Sequence, residues 1–265
     1  MTVKDKILQG RTYLGIELGS TRIKAVLIDD SFSVIASGSK QWENRFENGC
    51  WTYSLDDIHG GIQACYKDLA ENVKAQYGIY PETYGAMGIS AMMHGYMAFD
   101  KNDKLLVPFR TWRNTMTAQA AGELTKLLGF NIPQRWSIAH LYQAVLNKES
   151  HVPYIAYINT LAGYVHKRLT DRFEVGVGEA SGIFPVEGIG YKKEYCEPTE
   201  KSLAEKGFDH KLKDILPAVR NAGEKGAVLT EEGARFLDPE GRLKAGVPVC
   251  PPEGDAGTGM VATDS

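Results

Sequence analysis

The chain has 265 residues, with 30 Lys and Arg against 33 Asp and Glu, for a formal net charge of −3 at pH 7. A 43% hydrophobic share with 24% charged residues is ordinary for a globular chain, and this length can bury a sizeable core in one large domain or two small ones. Near-neutral charge offers no basic stripe for nucleic acid, and no apolar run approaches the roughly 18 residues that a membrane span needs. The start, Met1-Thr2-Val3-Lys4-Asp5-Lys6, lacks the apolar core of a secretory signal, and residues 1–11 read as a flexible polar tail. Cys50, Cys65, Cys196 and Cys250 are scattered with no Cys-x-x-Cys pair, as expected of free thiols in a soluble cytoplasmic protein.

In chain order, Thr12–Leu18 reads as a buried strand. Gly19-Ser20-Thr21 turns the chain, and Arg22–Asp29 returns antiparallel; Ser33–Ser39 makes a third strand of the same meander. Ser54 can cap a helix in which Ile58, Ile62, Cys65, Leu69 and Val73 recur at helical spacing, and Gly78 stops it. Tyr84–Ala91 is an apolar strand of the fully buried kind. Met97–Asp100 and Lys104–Val107 flank an Asn102-Asp103 turn and predict a small hairpin. Helical patterns follow at 115–129, 139–148 and 154–169, with further strands expected at Ile183–Val186 and Val247–Cys250. Three antiparallel strands, a helix, another strand and more helices predict a mixed α/β domain of ribonuclease-H-like order. Neither G-x-G-x-x-G after the first strand nor a G-x-x-x-x-G-K-[ST] loop occurs.

Four segments carry candidate chemistry. The Gly19–Thr21 turn is small and rich in backbone N–H groups, so it can cradle phosphate oxygens, with hydroxyls from Ser20 and Thr21 and with Glu17 placed to hold a hydrated Mg²⁺. The same residues also suit an ordinary hairpin with an outward Glu. Met92-Met93-His94-Gly95 follows a buried strand, the end at which open α/β folds place ligand contacts, although a lone His is often structural. Trp112-Arg113-Asn114 offers an aromatic face with polar donors, or a core Trp with solvated neighbours. Asp255, between Gly254 and Ala256-Gly257, can expose a carboxylate that takes a proton from a hydroxyl during phosphoryl transfer, or it can cap the next helix.

As an ordered series these segments resemble the FGGY family of carbohydrate kinases, within the actin, heat-shock-chaperone and sugar-kinase superfamily. Glu17-Leu18-Gly19-Ser20-Thr21 with Lys24-Ala25 is similar to the family's first phosphate loop. Ile89–Gly95 resembles its sugar-contacting segment, especially in xylulokinase-like members. Trp112-Arg113-Asn114, Glu179-Ala180-Ser181-Gly182 and Gly254-Asp255 follow in the family's order, and the likeness spans about 12–262. It implies ATP and Mg²⁺ as cofactors, and Asp255 as general base. Gly19, Ser20, Thr21 and Lys24 would lie on phosphate and Glu17 on the metal, with Met93, His94, Trp112 and Asn114 on the sugar.

The implied partners are a small-molecule sugar or polyol and the second, nucleotide-binding domain of the same parent chain, with a homodimer as a further assembly. Residues 12–265 would then be the N-terminal, sugar-binding domain. A non-catalytic sugar-binding or sensor protein derived from such a kinase is the alternative. The sequence departs from the family pattern at Glu17, commonly Asp; at Met116, commonly Arg; at Glu253, commonly Gly; and at Ala256, commonly an amide or acidic residue.

Overall fold

Apolar residues alternate along β1 (Thr12–Leu18) and β2 (Arg22–Asp29), so Leu14, Ile16, Leu18, Ile23, Ala25 and Leu27 all fall on one buried face. The computed structural model, which describes residues 1–224 and 226–263, pairs β1 with β2 and β2 with β3 (Val34–Gln41) as an antiparallel meander. The last two residues of the expected domain, 264 and 265, lie outside the described residues. Helix α2 (Leu55–Tyr77) covers the buried face. Ser54 Oγ accepts the Asp57 N–H at 3.0 Å at its start, and Gly78, at φ 75°, ends it in the left-handed conformation that glycine adopts freely. Its Ile58, Ile62, Leu69 and Val73 are buried, each side chain stabilising the fold by about 1.5–3 kcal/mol.

The strand Ala86–Ala91 lies parallel to β1 on the side away from β2. On its other side run two short parallel pieces, Pro248–Val249 and Glu253–Gly254, and Ala227–Val228 closes that edge antiparallel to the first of them. Antiparallel strands on one side and parallel ones on the other give the expected ribonuclease-H-like mixed sheet. A second apolar cluster, with Tyr96, Leu124, Leu141, Ile158 and Phe184, joins helices α3 (Ala118–Leu128) and α4 (Ser137–Leu146) to the strands Met97–Phe99 and Tyr157–Asn159.

Several expectations are corrected. Residues 1–11 are not a tail throughout: Val3–Leu8 form helix α1. Thr2 and Asp5 make a reciprocal capping box, Ile7 is buried, and Lys6 Nζ reaches Asp29 at 2.8 Å and Asp30 at 2.6 Å. Met97–Phe99 keeps the expected hairpin with the 104–107 segment as a Phe99–Leu105 bridge flanked by Leu106 N–H to Ala98 O at 2.8 Å and Asp100 N–H to Lys104 O at 3.0 Å, but its longer, unforeseen partner is Tyr157–Asn159. That distant pairing also breaks the helix expected at 154–169, which becomes a strand followed by α5 (Leu161–Thr170). Only Val186 of the Ile183–Val186 segment enters a strand, and Lys193–Glu205, Leu212–Ile215 and Glu231–Leu237 add unforeseen helices.

Candidate active site

Strand register assembles the site. Leu18 stands opposite Ala91 in one parallel pair, and Gly254 stands opposite the same Ala91 in the next. The residues that follow each strand therefore emerge side by side at one sheet edge: the Gly19–Thr21 turn, Met92-Met93-His94, and Asp255. Gly254 is a place where only glycine fits, because a Cβ there would run into the Met93 side chain. Asp255 Oδ1 accepts the Met93 N–H at 3.2 Å, fixing the carboxylate beside the His94 segment.

The Gly19–Thr21 turn has its carbonyls tied down from below. Trp42 Nε1 donates to Gly19 O at 2.7 Å, the Tyr53 hydroxyl to Ser20 O at 2.5 Å, and the Trp42 N–H to Thr21 O at 3.3 Å. Trp42 and Tyr53 are stacked, with ring centroids 4.2 Å apart. The Gly19 N–H closes the turn on Arg22 O, while those of Ser20 and Thr21 have no hydrogen-bond acceptor among the described residues. Two donors left open on a turn whose carbonyls point inward make an anion-binding concavity.

Beside it, Ser20, Met93, His94, Trp112, Arg135 and Asp255 line a cavity of 210 Å³. Trp112, 41% exposed, presents its ring and donates Nε1–H to Ser20 Oγ at 3.2 Å, linking the aromatic wall to the Gly19–Thr21 turn. His94 adopts φ 68°, an uncommon left-handed conformation for a side-chain-bearing residue, and Gly95 continues at φ 88°. Burial pushes the His94 imidazolium pKa below its usual range, and the nearby Arg135 charge pushes it further, so the ring is neutral at neutral pH. Its Nδ1 lies 3.5 Å from Gly182 O.

Gly19, Ser20, Thr21, Met93, His94, Trp112 and Asp255 thus converge. Glu17 and Lys24 face each other across β1 and β2, 3.6 Å apart, in an adjoining groove on the open sheet face. Asn114 does not join them. It is buried, with its amide donating to Trp51 O and Thr111 O and accepting the Trp51 N–H, so its hydrogen-bonding groups staple two loops together and do not face the cavity. Sequence reasoning missed Trp42 and Tyr53, whose side chains act on the turn from 23 and 33 residues away. It also missed Arg135, which sits in a loop with no motif around it.

The pattern of the FGGY family of carbohydrate kinases, N-terminal domain, matches residues 12–262. The chain belongs to this family. The xylulose kinase of Haemophilus influenzae is 24% identical over 239 residues, covering 85% of this chain and 47% of that protein. Among solved structures, the ligand-bound xylulose kinase from Lactobacillus acidophilus superposes with a TM-score of 0.73 at 18% identity, over 96% of this chain and 50% of the other. The gluconate kinase from the same organism gives 0.72 at 18% identity, over 92% and 48%. The chain therefore spans about half the length of these relatives, and the structural likeness is one of fold.

Glu253, where an FGGY kinase commonly has Gly, has a structural explanation here. Its Oε2 accepts the Glu179 N–H at 3.0 Å, and its carboxylate sits so close to Gly176 and Gly178 that a Cβ at either would collide with it. These two glycines admit the chain's own carboxylate, which binds the Glu253–Gly254 strand to the short helix α6 (Val177–Ala180). Glu179 is fully buried next to Gly254, with neither oxygen in a hydrogen bond. Burial pushes its pKa up to about 8; the Thr160 hydroxyl, short of full hydrogen-bond geometry, offsets part of this, and Glu253 and Asp255 add to it by repulsion.

Proposed function

We propose that the chain is the N-terminal, sugar-binding half of an ATP-dependent carbohydrate kinase working in the cytoplasm. The observation that carries the reading is the alignment of the open phosphate turn, the His94 segment and Asp255 at the ends of three neighbouring parallel strands, the place where open α/β sheets hold ligands. Asp255 accepts the proton of the sugar hydroxyl as it attacks. His94 and Trp112 orient the sugar so that this hydroxyl faces the turn, where the Ser20 and Thr21 N–H groups receive the transferred phosphate. Phosphoryl transfer depends mainly on such positioning and charge stabilisation.

Mg²⁺-ATP, when bound, supplies the phosphoryl group and offsets its charge. The residues present fit a hydrated Mg²⁺ held chiefly through phosphate oxygens: Glu17 offers one carboxylate at the strand end, and among the described residues no cluster of three ligating side chains exists. Lys24, beside Glu17 and half-exposed, can turn its ammonium to phosphate when the metal takes the carboxylate.

An unfinished flank supports assignment to one half of a two-domain enzyme. No residue of the helix Asp255–Thr263 is buried, and Met260 and Val261 stand 59% and 85% exposed. The groove beside it, 440 Å³ along Gly15, Gly88 and Ile89, leaves one face of the sheet open. A second domain packed there would complete the nucleotide cleft. The test is ADP release by the purified 265-residue chain with Mg²⁺-ATP and a panel of ketoses, polyols and sugar acids. A folded chain with no sugar-dependent turnover is expected; turnover in the ordinary range of about 1–10³ s⁻¹ would refute the half-enzyme reading.

A further inference from the structure

Arg135 lines the sugar-side cavity, while Arg110 and Arg113, which flank Trp112 of that cavity in the chain, are engaged elsewhere. Arg110 is buried, ion-paired with Glu149, and lies 5.4 Å over the Tyr96 ring. Arg113 lies 4.0 Å over the Trp51 ring. Arg135 lines the cavity itself, yet among the described residues its guanidinium has no carboxylate within ion-pair distance and donates no hydrogen bond. Its backbone is nevertheless fixed, because Arg135 O accepts the Gly95 N–H at 3.2 Å, and α4 begins two residues later. With His94 neutral, Arg135 and Asp255 are the only charged groups on the cavity wall among the described residues, one cation and one anion beyond pairing distance of each other.

We propose that Arg135 is a specificity-determining residue that selects a sugar carrying a carboxylate, an acyclic sugar acid, with the carboxylate on the guanidinium and the opposite hydroxyl end at Asp255. The assignment rests on the cavity being the sugar site. A guanidinium fork matches a carboxylate with two parallel, charge-assisted hydrogen bonds. A neutral polyol leaves that fork facing water or a hydroxyl. The charge pair also sets direction: Asp255 repels a carboxylate and Arg135 attracts it, so an acid enters one way round. The hydroxyl presented for phosphorylation is then the one farthest from the carboxylate. A phosphoryl group is the other oxyanion that a guanidinium here can bind, and inorganic phosphate serves as the probe for it.

The experiment is calorimetric titration of the 265-residue chain at low salt with D-gluconate, D-glucitol, D-xylulose and inorganic phosphate. Gluconate and glucitol share six carbons and differ at C1, carboxylate against hydroxymethyl. Gluconate is expected to bind about tenfold more tightly than glucitol, the scale of one charge-assisted pair. Arg135→Gln is expected to abolish that gap while leaving glucitol affinity unchanged, and Arg135→Lys to keep part of it. Equal affinities in the parent chain, or equal weakening of both ligands by Arg135→Gln, would overturn the proposal. So would xylulose binding without any gluconate preference, an outcome that leaves the sugar site itself intact. Phosphate binding lost in Arg135→Gln, with gluconate unaffected, would assign the residue to the phosphoryl group. Failure of every sugar to bind would remove the sugar-site reading and this proposal with it.

Discussion

Asp255 and His94 sit on adjacent strand ends but face different parts of the chemistry, and kinetics separates them. In an active kinase carrying this domain, Asp255→Asn is expected to lower kcat by about 10²-fold or more, the scale of a lost general base, with sugar binding nearly unchanged. Wild-type kcat in that variant would remove the carboxylate from the proton transfer. His94→Ala is expected to raise the KM for sugar more than that for ATP, because its ring lines the cavity with Trp112 and stands apart from the Glu17–Lys24 groove. Varying each substrate in turn decides this, and a selective rise in the ATP KM would move His94 to the nucleotide side. The place of His94 was legible because it stands directly after the strongly apolar strand ending at Ala91, whereas Asp255 follows the two-residue piece Glu253–Gly254, which is too short to show a pattern. Asn114 was misread because a polar residue beside a Trp looks the same in sequence whether it faces a ligand or staples two loops. Arg135 was invisible because what singles it out is the absence of a partner, a property of three dimensions.

Helix α6 and the Glu253–Gly254 strand form one unit around a carboxyl group that the folded protein keeps protonated. Glu179 has its pKa pushed from 4.5 to about 8, so between these values the folded chain holds a proton that the unfolded chain has released. Its contribution to stability is whole below about pH 4.5 and is lost as pH rises towards 8. Denaturant unfolding of the wild type and Glu179→Gln across this range is therefore expected to show the wild type losing stability relative to the variant; parallel curves would contradict a protonated Glu179. The elements themselves were legible where local signals agreed. α2 has a Ser cap, apolar residues at helical spacing and a terminal Gly, and it forms within a residue or two of its expected bounds. The strand Tyr157–Asn159 was read as helix because its partner, Met97–Phe99, lies about sixty residues away and leaves no local mark. α1 escaped notice because its six residues are half charged, too short a run to show a helical period, and owe their helix to a capping box and one buried Ile.

At the scale of the whole molecule, one flank of the sheet is packed and the other is open. α2 seals the inner face, while the outer face and the helix after Asp255 keep apolar groups in contact with water. The cavity proposed for the sugar is lined by residues of this chain, so on that proposal sugar recognition is expected to survive in isolation even where phosphoryl transfer does not. Among the described residues no helix is long and apolar enough to cross a membrane. The most direct test is a nitrogen-15 NMR titration of the 265-residue chain with sugars, reading the indole N–H signals of its four tryptophans and the backbone amides. The account predicts shifts of the Trp112 indole and of the Ser20, Met93 and His94 amides, with the separate surface groove of Tyr157, Tyr164, Lys167 and Arg168 unmoved. Shifts confined to that surface, or their absence with every sugar, would contradict it.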